Sequence, residues 1–146
     1  MSEITFPPPT TTPFGERVAR RLREEKLAWL TTVGADGTPQ PNPVWFLWEG
    51  GNTILVYSMT PAARVANIER NPRVSFNFDG DGKGENIIVM TGEARICPDE
   101  PSAAENQAYA EKYAGYIADG PWGTPEKFAE KYRVPIRITP AKVRGN

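Results

Sequence analysis

The sequence predicts a mainly β fold, a six-stranded antiparallel barrel with peripheral helices in one domain. Three observations predict it. Short apolar or alternating runs recur along the 146 residues, joined by tight turns such as Gly34-Ala35-Asp36-Gly37 and Glu49-Gly50-Gly51-Asn52. Helical patterns are confined to a leading segment, one insertion between the third and fourth runs, and two segments before the last run. Gly92 interrupts an otherwise continuous run, as where a strand bulges or bends while a barrel closes.

Residues 1–13 carry Pro7, Pro8, Pro9 and Pro13 among threonines and read as an extended lead-in to a domain at 14–146. The lead-in is either free in solution or laid across a partner subunit. From Phe14 to Glu25, Phe14, Val18 and Leu22 repeat at i, i+4 and i+8, which predicts a helix. Its arginines form either a solvated face or a docking site.

Leu27 to Val33 is the first strand and Thr38 to Trp48 the second. Pro39, Pro41 and Pro43 recur at spacing two, so they remove donors from one lateral side and leave the other able to pair. The bare side is a sheet edge or the border of a loop or ligand. Trp45 is either a core or interface aromatic or a wall against a planar ligand.

Thr53 to Met59 is the third strand. It leads into SMTPAARVANIERNP, Ser58 to Pro72, the stretch around which the reading turns. Thr60 is the expected N-cap of a helix over 60–70 and Pro61 its first residue, with Val65 and Ile68 facing in and Asn71-Pro72 ending it. Ala62, Ala63 and Arg64 then present free N–H groups and a guanidinium at the positive end of the helix dipole, which suits an anion. The alternative is an ordinary capped helix with a solvated arginine.

Arg73 to Asp79 alternates as a fourth strand. Gly80 to Glu85, GDGKGE, matches no phosphate-loop pattern and reads as a long hairpin turn. Asn86 to Ile96 is the fifth strand. Ser102-Ala103-Ala104-Glu105 is a capping box opening a helix to about Tyr113. Tyr109, Tyr113 and Tyr116 form a stripe that belongs to the core or to a ligand shell. Thr124-Pro125-Glu126 caps a further helix through Tyr132. Arg133 to Thr139 is the sixth strand, followed by the tail PAKVRGN.

Composition excludes several functions. Seventeen basic against eighteen acidic residues give a net charge of −1, so no broad basic surface invites nucleic acid or an anionic membrane. No apolar run is long enough for a membrane span, and the N-terminus lacks the features of a secretory signal. Cys97 is the single cysteine, which excludes an internal disulfide and fits a cytoplasmic setting. There is no histidine, which removes serine–histidine and cysteine–histidine catalysis, histidine-ligated zinc and histidine-ligated haem. An enzyme with this composition works through carboxylates, Lys, Tyr or Ser, or lets a bound cofactor carry the chemistry.

Four pieces occur in a characteristic order: LAWLTTVGADGTPQPNPVWFLWEGG, ILVYSM with RVANIERNPRVSF, IIVMTGEARI, and PIRITPAKVRG. With them the chain resembles the pyridoxamine 5′-phosphate oxidase-like split-barrel superfamily, and within it the small F420-dependent flavin/deazaflavin oxidoreductases. The resemblance implies a six-stranded split β-barrel of the FMN-binding type, a homodimer with cofactor sites at its interface. It also implies hydride transfer between F420, or alternatively FMN, and a small electron-poor organic substrate. A non-catalytic flavin- or deazaflavin-binding protein and a dimer that has lost its ligand are the alternatives. Residue by residue, Ser58 corresponds to the family's hydroxyl near the cofactor phosphate and Arg64 to its basic residue, whereas Ala62 and Ala63 stand where a second basic residue is common. Asn42, Pro43, Val44 and Trp45 correspond to the strand that lines the ring. Ser58, Met59, Thr60, Ala63, Arg64 and Asn67 complete the implied cofactor-binding set. No side chain is implied as a catalytic acid, base or nucleophile.

Overall fold

The computed structural model describes all 146 residues. In chain order they form β1 (Ser2–Thr5), α1 (Pro13–Glu24), β2 (Ala28–Val33), β3 (Pro39–Val44), β4 (Leu47–Trp48), β5 (Ile54–Ser58), α2 (Ala63–Arg70), β6 (Arg73–Asn77), β7 (Ile88–Ile96), α3 (Gln107–Lys112), α4 (Ala114–Asp119), α5 (Pro125–Lys131) and β8 (Val134–Gly145). The strands make one sheet in the order β3-β2-β6-β7-β8-β5-β4, with β1 added to β8. Every pairing is antiparallel.

The two ends of that order, β3 and β4, are consecutive in the chain and separated only by Trp45 and Phe46. Three Cα steps span at most about 11 Å, so the sheet must curl until its edges nearly meet. The rim is closed by covalent chain rather than by a ladder, giving a split rather than a sealed barrel. The prolines follow from this. β3 pairs only with β2, with Pro39, Pro41 and Pro43 opposite Val33, Thr31 and Trp29. The side of β3 without a neighbour is the side for which proline has no donor to waste.

The strand count is eight, not six, for two reasons. The expected strand over 38–48 is broken at Trp45–Phe46, where the chain crosses from one sheet edge to the other. The lead-in is extended as expected but also pairs, Ser2 through Thr5 against Gly145 through Lys142, and Ile4 and Phe6 pack on the core. The last strand also runs on through the expected tail to Gly145. Pro140 does not end it, because the β7–β8 register shifts there between Thr91 and Gly92. A Cβ on Gly92 would lie 2.2 Å from the Thr139 carbonyl oxygen, so only glycine permits this approach.

Helix starts show the same mixture. Thr12 caps α1, accepting from Gly15 N at 3.1 Å. The capping box at 102–105 forms both reciprocal bonds, Glu105 N to Ser102 Oγ and Ser102 N to Glu105 Oε1. It closes only a turn, and α3 starts at Gln107 with Asn106 as its cap. Helix α2 begins at Ala63, later than expected. Ala62 is extended (φ −138°, ψ 138°), so neither Thr60 nor Pro61 can be its cap or first residue, and no side chain caps its first turn.

Burial separates two apolar regions. Inside the barrel, Leu30, Phe46, Ile54, Val56, Phe76, Met90, Ile136 and Ile138 pack with Val18 and Leu22 of α1. Outside it, Leu47, Leu55 and Tyr57 pack beneath α3–α5 against Tyr109, Tyr113, Ile117 and Phe128. Strand β5 is buried throughout because its alternate side chains enter the two regions in turn.

Candidate functional site

β5 ends at the seam between these regions, and α2 starts there. A cavity of about 330 Å³ opens at the seam. On one wall are Pro43, Val44, Trp45, Ser58, Met59, Ala62 and Arg64; on the other are Tyr109, Trp122, Phe128 and Tyr132 from the helical layer. A second groove of about 530 Å³ is polar. It is bounded by Thr32, Gly34, Ala35, Asp36, Gln40 and Asn42 of the β2–β3 hairpin and by Ala63, Arg64 and Asn67 of α2. Arg64 borders both spaces.

The electrostatics of the seam centre on that arginine. Burial lowers the Arg64 pKa from its ordinary value, opposed weakly by Tyr132. The three ion pairs of the molecule join other residues, and the Arg64 guanidinium makes no hydrogen bond within the chain. Its neighbour Arg70, by contrast, is engaged, donating to Asn67 Oδ1 at 2.8 Å. A partly desolvated cation with no acidic partner, beside an uncapped helix start, has the chemistry that suits an anion. No residue lining the apolar cavity is acidic. Asp36 borders the polar groove, where its carboxylate accepts from Thr38 N at 3.0 Å and its pKa is lowered by that bond.

Of the residues expected around a cofactor, Pro43, Val44, Trp45, Ser58, Met59 and Arg64 come together at the apolar cavity. Asn42, Ala63 and Asn67 lie with Arg64 along the polar groove. Thr60 is exposed and borders neither. Asn67 is already committed, since it donates to Thr32 Oγ1 at 3.0 Å and so staples α2 to β2. Ser58 is buried, and its hydroxyl makes only a 3.4 Å contact with the Met59 carbonyl.

Trp45 is a packed aromatic that also borders the cavity. It stacks on Tyr113 (centroids 4.6 Å apart, planes at 4°) and on Phe128 (5.3 Å, 12°) while also lining the cavity. The tyrosine stripe divides: Tyr109 and Tyr113 are buried, while Tyr116 is 49% exposed. Tyr113 is structural. Its hydroxyl accepts from Phe46 N at 2.8 Å, and its hydrogen serves the Lys26 and Phe46 carbonyls at 2.8 and 3.0 Å. Trp122, Phe128 and Tyr132 gave no advance signal. They reach the cavity from segments far from Ser58 and Arg64 in sequence, and only tertiary packing brings them there.

A curled antiparallel barrel with a one-sided apolar pocket and a single cation at its mouth is the class that this geometry defines. The family model for pyridoxamine 5′-phosphate oxidase matches residues 14–146, and the chain belongs to that family. Among solved structures it is similar to an F420 reductase, with 28% identity, 86% of this chain and 94% of that one covered, and a TM-score of 0.66. It also shares its fold with a conserved hypothetical protein from Mycobacterium tuberculosis (22% identity, 97% and 88% covered, TM-score 0.68). A third match is HutZ, the haem storage protein from Vibrio cholerae (18% identity, 89% and 93% covered, TM-score 0.61). The last two likenesses concern the fold alone. No helix is long and apolar enough to cross a membrane.

Proposed function

We propose that this protein is an F420-dependent oxidoreductase acting on a small electron-poor organic substrate. The observation that carries the reading is Arg64, a half-buried cation without a partner, at the junction of an uncapped helix start and an aromatic cavity. Membership in a family that binds flavins such as FMN supports a flavin-type cofactor. The 28% identical F420 reductase supports the deazaflavin in particular.

The residues present fit such a group. The guanidinium of Arg64, the first N–H groups of α2 and the Ser58 hydroxyl suit a phosphate. Asn42, Pro43, Val44 and Trp45 offer a flat border for a ring, with Met59 beside them. When bound, a deazaflavin or flavin supplies hydride chemistry. The chain's own contribution is to hold the phosphate, orient the ring and keep water from the apolar side. The exposed run Pro39 to Pro43 on edge strand β3 suits coverage by a second copy, so the working unit is proposed to be a homodimer in which the partner completes the site.

The test is a fluorescence titration of wild type and Arg64→Ala with F420 and with FMN. The expected result is micromolar or tighter F420 binding that weakens tenfold to a hundredfold in the variant, roughly 1.5–3 kcal/mol. Preference for FMN would keep the site and change the cofactor. Binding without substrate-dependent turnover would make the protein a cofactor carrier. A folded protein that binds neither would overturn the proposal.

A further inference from the structure

Arg64 makes no hydrogen bond or ion pair within the chain, so its place depends on how α2 is seated. That seat is slight. The helix has 8 residues and no side-chain cap, and only Asn67 and Ile68 are buried. Ile68 enters the barrel core, which holds the helix to the sheet but scarcely resists rocking about that one contact. A hydrogen bond is directional and does resist it. Asn67 supplies that bond. Its Nδ2 donates to Thr32 Oγ1 of β2 at 3.0 Å, and both residues are buried. Its Oδ1 accepts from Arg70 at 2.8 Å, and the same Arg70 nitrogen reaches the Val33 carbonyl at 3.5 Å. Arg70 also fixes which way the amide faces, because a flipped amide would set two donors against each other. Both ends of the Asn67 amide are thus engaged inside the protein.

We propose that Asn67, pinned by Thr32 and Arg70, is a positioning residue that sets the angle at which α2 presents Arg64 to an anion. Asn67 stands one turn after Arg64 on the same helix, and both border the polar groove. A guanidinium grips a phosphate through a pair of nitrogens in a fixed fork. Such a grip tolerates only about 10–20° of misalignment. This role rests on the anion-site reading of Arg64 given above, and it makes Asn67 a support rather than a contact to the cofactor.

The test compares cofactors with and without a phosphate: FMN against riboflavin, and F420 against its phosphate-free deazaflavin core. Affinities come from fluorescence titration, with the pair that wild type binds more tightly. Wild type is expected to prefer the phosphorylated member about tenfold or more, and Arg64→Ala to abolish most of that preference. Thr32→Val keeps the shape of the side chain and removes only the oxygen that Asn67 holds. It is expected to lower the preference about three- to fivefold, while the phosphate-free member binds within about twofold of wild type. Thr32→Ser retains the oxygen and is expected to retain the preference. In the Arg64→Ala background Thr32→Val is expected to change nothing further, because it acts through that arginine. Where the valine variant does not fold, Arg70→Ala at an exposed position serves instead. Measured in about 0.5 M salt, where distant charge is screened, it is expected to lower the preference about twofold. Equal weakening of both members, a similar loss in Thr32→Ser, or a further loss beside Arg64→Ala would each overturn the role of Asn67. A loss in Arg64→Ala with none in Thr32→Val defeats this role and leaves the anion site standing. Wild type with no preference for the phosphate defeats both.

Discussion

Ile54 and Leu55 are adjacent on β5 and both are fully buried, yet they face different materials. Ile54 enters the barrel, where branched side chains interdigitate with Phe46, Phe76 and Phe78. Leu55 enters the layer beneath α3–α5, where Tyr109, Tyr113, Phe128 and Trp45 stack or meet at a tilt. The barrel is tied by long ladders such as β7–β8, whereas the layer rests on helices of six or seven residues, too short to be stable without packing. Branched chains on a sheet fill space. Flat rings on short helices leave slots, and the cavity lies among them. One strand thus separates a densely packed region from one that keeps an open cavity.

The largest test of that contrast is a pair of truncations. Ile54→Ala is expected to cost about 3–4 kcal/mol, and Leu55→Ala about 2–3 kcal/mol, because a layer that already contains space relaxes more readily. Urea denaturation measures both, and an equal or greater loss for Leu55 would break the contrast. Next in size is the tyrosine pair. Tyr113→Phe leaves the Phe46 N–H and the Lys26 carbonyl without their partner and should cost about 1–3 kcal/mol. Tyr109→Phe removes a hydroxyl that has no hydrogen-bond partner and should cost nothing, and a similar loss in both would mean that the two hydroxyls do equivalent work.

A third test uses pH at the bridge between the regions. Lys112 on α3 donates to the Phe46 carbonyl at 2.9 Å and lies 3.8 Å from the centroid of the Phe46 ring. Burial, and then the charge of Lys26, push its pKa down from 10.5 to about 8. Between those values the unfolded chain binds the proton and the folded one releases it. Stability contributed at this site therefore rises with pH across the window, and the charged form is disfavoured below it. Relative to Lys112→Met, wild type should gain on the order of 1 kcal/mol between pH 8 and 10, after allowance for solvent screening. Parallel stability curves for the two proteins would remove the effect. The smallest expected change is at the polar groove. Asp36→Asn keeps an acceptor for Thr38 N but removes a negative charge from the space that Arg64 borders. Anionic cofactor should bind about twofold tighter at low salt, with the gain fading as salt is added.

The same contrast explains what could be read from sequence. The barrel was legible because its rules are local. Val74, Phe76 and Phe78 alternate within one strand, Phe14, Val18 and Leu22 recur along one helix, and Gly92 marks its own bulge. Arg64 was legible as a candidate at the cavity because strand, turn and helix start are contiguous. Most of the aromatic half of the cavity was not, because Trp122, Phe128 and Tyr132 come from segments far from Trp45 and Arg64 and no spacing relates them. Thr60 was misread because residue preferences for caps do not reveal that Ala62 is extended. β1 was hidden by composition and by a partner strand at the other end of the chain, and the second half of β8 was hidden by Pro140.

The place of β8 in the sheet has a consequence for biosynthesis. It is last in the chain but central in the strand order, and it alone joins β7 to β5 while also receiving β1. A nascent chain still lacking this segment can assemble β3-β2-β6-β7 and the β4–β5 hairpin only as separate fragments, each with an open edge. Closure therefore waits for β8 to be in place, and until this slow, long-range pairing forms both fragments keep edges open to the wrong partner.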